Sequence, residues 1–449
     1  MRKDQISRLS TTLLCAAILL AACHAAADSP KNIILLIGDG FGFNHALSGA
    51  YYLDGEAGSQ RYEKEFHRLA MSTYSADGQG YDPDKAWTDP GYIKEEYTDS
   101  AAAATAMATG VKAHNGVLGM DIHGEPVENI VEWCEAIGKA TGLVTSVMLS
   151  HATPAGFVAH SKSRGEYENI ANQMLRDSGL DVVMGAGHPW YDSNAQKVDA
   201  PDYQFVGGEE TWKGVETEQI GADADGDGTP DPWILVETRP QFQQLAYCVI
   251  PKRVLGVPQV RDTLQEKRTA IDGEPKDDEP FQTPLTETVP TLAEMTAGAL
   301  NLLAFDPDGF FLMVEGGAID WSSHANEGGR MIEEVIDFFK AVDTVIDWVD
   351  SRSNWDETLV IITADHECGY LVGADSPIPQ NRGAGVMPGL DWRSGSHTNC
   401  LVPFYVKGAG SNVFLAAANR IDPVRDRYLD NTDIAKGISG LLRAPVAAR

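Results

Sequence analysis

Asn32-Ile33-Ile34-Leu35-Leu36-Ile37 runs apolar without alternation and stops abruptly at Gly38-Asp39-Gly40. Such a run is a strand with both faces buried, as in a parallel sheet whose two sides are covered by helices. Leu143 to Leu149, Val182 to Met184, Phe310 to Val314 and Leu359 to Thr363 repeat the pattern, each ending in a polar or glycine-rich turn. Helical patterns lie between them, at Val127 to Lys139, Glu166 to Arg176, Thr291 to Leu303 and Arg330 to Val349. Strand and helix in alternation along the chain specify an α/β fold, a doubly wound three-layer αβα sandwich with a central, mostly parallel sheet and peripheral insertions.

Two stretches break the alternation. Asp192 to Pro290 is rich in Asp, Glu, Gln, Pro and Gly with weak periodicity and reads as an insertion or peripheral region. Ala374 to Ser396 carries Gly and Pro and separates two groups of candidate ligands. The N-terminus is of another kind: Arg2, Lys3 and Arg8 precede the apolar run Leu13 to Ala22, so residues 1–27 read as an export signal and 28–449 as the folded domain. Two processing readings stand side by side. Leu20-Ala21-Ala22-Cys23 has the form of a bacterial lipoprotein box, which would tether the protein to a membrane by a lipid on Cys23. Ala25-Ala26-Ala27 before Asp28 suits an ordinary signal peptidase, which would release it into the periplasm or the medium. The apolar run itself is too short to span a bilayer.

Acidic residues number 65 against 35 basic ones, a formal charge of −30, which argues against nucleic acid or an anionic membrane surface as partner. Beyond Cys15 and Cys23, the cysteines Cys134, Cys248, Cys368 and Cys400 lack the paired spacing of a zinc–thiolate site. Cys368 and Cys400 each follow a candidate metal ligand within three residues, so a disulfide tying two site loops together is the pairing the positions suggest.

In open α/β sheets, ligands bind outside the carboxyl ends of the strands. Asp39 follows the first apolar run; Glu315, then Asp320 and His324, follow Phe311-Leu312-Met313-Val314; Asp365 and His366 follow Val360-Ile361-Ile362-Thr363. One Asp after a strand is more often a turn former or helix cap. Accumulation of carboxylates and imidazoles on one edge outweighs that reading. Asp320 and His324, four apart, share one face of a helix and can grip one ion, and the adjacent Asp365-His366 supplies a second pair. His397, in Gly395-Ser396-His397-Thr398, precedes the strand Leu401 to Val406. Three histidines and several carboxylates suit zinc, with oxygen-rich positions left for magnesium.

Thr98-Asp99-Ser100 opens an alanine-rich run that ends at Gly110, a strong helix with Ser100 in its first turn. Taken alone, Ser100 or Asp99 would simply cap the helix. A helix N-terminus, however, offers free N–H groups and a positive dipole end to a phosphate, and a metal there can ionise a serine hydroxyl without a histidine base.

These residues together resemble the alkaline phosphatases, within the wider superfamily of metal-dependent phosphate and sulfate hydrolases. The resemblance runs from Lys31 to about Lys407. It is carried by Ile37-Gly38-Asp39-Gly40, Thr98-Asp99-Ser100-Ala101, His151-Ala152-Thr153-Pro154 with Arg164, Val314-Glu315-Gly316-Gly317-Ala318-Ile319-Asp320, Thr363-Ala364-Asp365-His366-Glu367 and Gly395-Ser396-His397-Thr398. It implies a hydrolase of diverse phosphate monoesters at alkaline pH, acting by two in-line displacements through a phosphoserine at Ser100. It implies further that Asp320, His324 and His397 hold one zinc, that Asp365, His366 and Asp39 hold a second, and that Asp39, Thr153 and Glu315 hold a magnesium. Arg164, oriented by Asp99, would clamp two phosphate oxygens as a planar fork. Inorganic phosphate would inhibit as a product, and the chain would form a homodimer.

Two positions depart from many bacterial members of that family: His151 stands where they have Asp, and Trp321 where they have Lys. Other alkaline phosphatases resemble this sequence at both. A neutral imidazole removes negative charge from the third site, which favours zinc there or weakens magnesium, and His151 reads as a hydrogen bonder beside the ion rather than as a ligand. The rival readings are a phosphodiesterase or sulfatase of the same superfamily and a metal-loaded surface protein that binds phosphate without turnover. Ser100 followed by alanines lacks the Pro-and-Arg-containing sulfatase motif, and Arg164 with a third site sets the sequence apart from the two-metal diesterases. Separately, Asp223, Asp225, Asp227 and Asp231 match the first half of a calcium loop with Gly228 at its sixth position. Ile234 occupies the twelfth position instead of Glu, so a structural calcium site and a solvated acidic turn are equally open.

Overall fold

The computed structural model describes residues 29–224, 228–248, 253–270 and 279–443. The export signal, Cys23, Asp225 and Asp227 lie outside these residues. Among the described residues, no helix is long and apolar enough to cross a membrane.

The strands, in chain order, are β1 (Asn32–Gly38), β2 (His67–Ser72), β3 (Ala140–Met148), β4 (Val182–Ala186), β5 (Ile234–Val236), β6 (Val254–Gly256), β7 (Phe310–Gly316) and β8 (Thr358–Ala364). Four two-residue strands follow, β9 (Glu367–Cys368), β10 (Leu371–Val372), β11 (Asp391–Trp392) and β12 (His397–Thr398). The last are β13 (Val402–Gly408), β14 (Arg420–Asp422) and β15 (Asp426–Asp430). One sheet takes the order β14-β15-β2-β13-β8-β1-β7-β3-β4-β6-β5. From β8 to β5 every pairing is parallel, and β13 runs antiparallel to both of its neighbours. β1, β3, β4, β7 and β8 are buried along their whole length, as their unbroken apolar sequences require.

Helices α1 (Phe43–Asp54), α2 (Ser100–Thr109), α3 (Leu292–Leu303), α4 (Ala318–His324), α5 (Gly328–Arg352) and α6 (Thr432–Leu442) are the ones that matter for the site. α5 packs with α1, α3 and α4 in one layer, and α2 packs with α6 in the other, which makes the three-layer α/β architecture. All ten residues of α2 are buried, so its alanines do more than favour helix: they allow close packing. A Cβ on Gly156 would lie 2.6 Å from Ala104 Cβ.

The stretch 192–290 is more than an appendage. Its Ile234–Val236 and Val254–Gly256 extend the central sheet in parallel register beyond β4. Three-residue strands are too short for hydrophobic periodicity to reveal. In the calcium-like segment, Asp223 Oδ2 accepts the Gly228 N–H and Asp231 Oδ2 accepts the Ala224 N–H, both at 2.9 Å, so these two carboxylates close a turn on their own backbone.

Register brings the site together. Ile37 stands beside Glu315 on one side and Thr363 on the other, so Asp39 and Asp365 emerge at the same level, two residues beyond Glu315. Gly40 then turns back at φ +73°, and a Cβ there would meet Asp320 Cα at 2.7 Å.

Candidate active site

The start of α2 shows how one residue serves two ends. Asp99 is the N-cap; its Oδ1 accepts the Ala102 N–H at 2.9 Å, while its Oδ2 accepts from Arg164 Nη1 at 2.9 Å. Ser100 is thereby free of any capping duty. Its Oγ, almost fully buried, lies 3.3 Å from His366 Nε2.

Three groups of ligand-type atoms converge on that hydroxyl from the carboxyl edge of the sheet. In the first, His324 Nε2 and His397 Nε2 lie 2.9 Å apart, 3.4 and 3.3 Å from the two Asp320 oxygens. The other ring nitrogens face backbone carbonyls, His324 Nδ1 at 2.9 Å from Gly395 O and His397 Nδ1 at 2.8 Å from Thr98 O. A carbonyl only accepts, so both Nδ1 atoms carry protons and both Nε2 lone pairs face one point. Two lone pairs at that distance require a cation between them, a proton or a metal. Burial opposes protonation of His397, but the Asp320 carboxylate outweighs it and pushes the imidazole up to about 9.

In the second group, Asp365 Oδ1 accepts the Gly40 and His366 N–H groups, which aims Oδ2 inward, 3.2 Å from His366 Nε2. Asp39 Oδ1 stands 3.5 Å from the same nitrogen, and neither Asp39 oxygen has a hydrogen-bond partner. In the third, Glu315 Oε2 accepts from Thr145, while Glu315 Oε1 and Thr153 Oγ1 are buried without partners. Ligand atoms of Asp39, Glu315 and His151 lie within 4.8 Å of one another. Buried acceptors without donors are costly unless a cation completes them. Burial, together with the neighbouring carboxylates, pushes Asp39 well above the usual carboxylate range; burial likewise pushes Asp365 up to about 6 and Glu315 up to about 7. The donor set of imidazoles, carboxylates and a hydroxyl fits zinc and magnesium.

All the residues picked out from sequence for this site therefore meet in one place. His151, read from sequence as a neighbour of the third position, takes up both relations: a ring nitrogen sits among the candidate ligands, and its Nε2 is 3.3 Å from Arg164 Nη2. Burial and the Arg164 charge lower it to about 3, so it is the neutral imidazole that meets Arg164. Trp321 packs edge-on against His151 with ring centroids 5.7 Å apart.

The disulfide suggested between Cys368 and Cys400 is not formed; Cys134, Cys248, Cys368 and Cys400 are all free. In the antiparallel β9–β12 pair, Cys368 lies opposite His397, and its Sγ is within 4.8 Å of ligand atoms of Asp320, His324 and His397. The side chain faces the first ligand group. The denatured, unreduced protein is expected to titrate four thiols for these four positions, and two would restore the bridge.

Sequence reasoning also passed over Lys267, which shares a cavity of ≈ 330 Å³ with Ser100, Arg164, His151 and Trp321. Between Glu266 and Arg268, in a stretch without periodicity, it reads as a solvated charge; no local signal distinguishes it.

A profile of the family described as "Alkaline phosphatase" matches residues 30–418. Alkaline phosphatase 3 of Bacillus subtilis (strain 168) is 32% identical over 355 residues, covering 78% of this chain; the chain spans 63% of that relative's length. Alkaline phosphatase H of Pseudomonas aeruginosa is 34% identical over 357 residues, 75% of this chain and 69% of the relative. Among solved structures, the alkaline phosphatase of the Antarctic bacterium TAB5 superposes with a TM-score of 0.63 at 24% identity, over 93% of this chain and 99% of that one. That of Thermus thermophilus gives 0.65 at 21%, over 95% and 94%. A substituted form of the Antarctic enzyme holds magnesium in its M3 site.

Proposed function

Because the chain belongs to the alkaline phosphatase family, we propose that it hydrolyses phosphate monoesters, with Ser100 as the nucleophile. One observation carries this reading: the Ser100 hydroxyl, relieved of capping by Asp99, opens into a cavity that Arg164 shares and points at the buried cluster of partnerless acceptors. Asp320, His324 and His397 would hold one zinc, and Asp39, Asp365 and His366 the other; Asp39, Thr153 and Glu315 would hold magnesium, with His151 adding an imidazole. When bound, these ions supply the positive charge that lets Ser100 give up its proton and that stabilises the departing oxygen.

The remaining work falls to side chains of the chain itself. Arg164, fixed by Asp99 at one nitrogen, orients the phosphoryl group with its remaining N–H donors. Ser100 Oγ bonds to phosphorus as the ester oxygen leaves and takes up a proton. Water then gives up a proton and bonds to phosphorus from the side the ester oxygen left, opposite Ser100; Ser100 Oγ departs and regains a proton, and inorganic phosphate is released. Both displacements present charge to the N-terminus of α2. Phosphate, held by the same groups, should compete with substrate.

The test compares an aryl phosphate with the matching bis-aryl diester and the aryl sulfate, at pH 7 to 10, with and without prior chelation. The monoester is expected to be preferred by at least about a hundredfold, as Arg164 and the α2 N–H groups serve a terminal phosphoryl. Preference for the diester would move the chain to a phosphodiesterase reading.

A further inference from the structure

Lys267 sits on a firmly held segment of the irregular stretch. Thr263 bridges to Val147 and the Leu264 N–H donates to Ser146 O at 2.9 Å, which pins the segment to the end of β3 beside the site. The Lys267 N–H donates to Thr263 Oγ1 at 2.9 Å, and the next residue, Arg268, is buried against Glu333 at 2.7 Å and donates to the carbonyls of Thr283, Pro284 and Gln265. The backbone on both sides of Lys267 is therefore fixed, and the ammonium is delivered to a defined place. Its Nζ lies 5.3 Å from the centre of the Trp321 ring and 3.2 Å from a carboxylate oxygen of Glu266, whose side chain is 1% exposed while that of Lys267 is 44% exposed. Glu266 occupies one of the three N–H donors, and the side chain lines the cavity.

Along one wall of the cavity the groups follow in order: Arg164, His151 at 3.3 Å from it, Trp321 with its ring centre 5.7 Å further, and Lys267 5.3 Å beyond. Arg164 and Ser100 mark where the transferred phosphoryl group would sit. Lys267 lines the same cavity and is linked to that pair through the rings of His151 and Trp321, which leaves its ammonium available to another part of the same substrate. The protein carries a formal charge of −30, so a polyanionic substrate meets general repulsion, and a cation held over an aromatic face at the mouth offsets it locally.

We propose that Lys267, seated on Trp321, forms a second anion subsite that favours phosphate monoesters bearing a further carboxylate or phosphate beside the ester. This rests on the monoesterase reading above. The subsite acts on binding, so it shows in KM rather than kcat.

The test uses phenyl phosphate and 4-carboxyphenyl phosphate with the metal-loaded wild type, Lys267→Met and Lys267→Arg. Comparing the ratio of kcat/KM for the two substrates cancels their intrinsic reactivities. Lys267→Met is expected to lower the carboxylate-to-parent ratio about fivefold, through KM, as suits a half-exposed ion pair; Lys267→Arg should keep the ratio near the wild-type value, and added salt should shrink the difference. An equal change for both substrates, or no change, overturns the subsite while leaving the phosphatase reading intact. A wild type that cleaves neither ester overturns the monoesterase reading and the subsite with it.

Discussion

Ser100→Ala is expected to lower kcat for an aryl phosphate by on the order of 10³-fold or more and to leave no phosphoryl group on the protein after an acid quench. The fold should not notice. Ser100 is the first residue of α2, where alanine is fully acceptable, and the capping bond is made by Asp99 through the Ala102 N–H. The hydrogen bond of the Ser100 hydroxyl is to His366, itself a candidate ligand. Thermal unfolding of the metal-loaded variant should therefore match the parent, which separates loss of the nucleophile from loss of structure. Undiminished trapping of labelled phosphate in Ser100→Ala would show that another group attacks phosphorus.

Removal of metal is expected to have a comparable effect on activity, on the order of 10³-fold, reversed by zinc and magnesium together. It should also make stability depend on pH. In the metal-free protein Asp39 and Glu315 prefer to be neutral, Glu315 up to about 7, because burial disfavours the anion. A pKa raised by folding stabilises below the unfolded value and ceases to do so as pH rises through the folded value. His397, raised to about 9 chiefly by Asp320 against the opposing effect of burial, acts in the same direction. The buried imidazoles His45 and His151, lowered to about 3, act oppositely, but only below about 6.5, where a free histidine would charge. Between pH 7 and 9 the signs within the cluster agree, while Lys112, lowered to about 8 by burial away from the site, opposes them above pH 8 equally in the metal-free and the loaded protein. The metal-free melting temperature should fall across that interval while that of the loaded protein does not, because bound cations replace the missing protons. A metal-free melting temperature that rises from pH 7 to 9 would contradict the assignment of this cluster as the metal site.

Much of the site was legible because its information is local. A ligand such as Asp39 follows directly on a buried strand, and Asp320 and His324 are one helical turn apart, so type and spacing alone placed them on one edge. Asp99 was legible twice, as a cap and as a partner of Arg164, and the structure shows the two oxygens divided between the two tasks. Cys368 misled because proximity of two cysteines to site loops says nothing of direction; the β9–β12 pairing turns its sulfur toward Asp320. The strands Ile234–Val236 and Val254–Gly256 were hidden by their brevity.

By itself, the sequence determined the layered α/β arrangement and the chemistry available at its edge, since apolar runs and ligand types act through properties of single residues and near neighbours. Tertiary structure alone decided what those groups face: the opposed Nε2 atoms of His324 and His397, the inward turn of Cys368, and Lys267 laid across Trp321. Such contacts join residues dozens apart. They are set by strand register and by which helix packs on which face, and no local period records either.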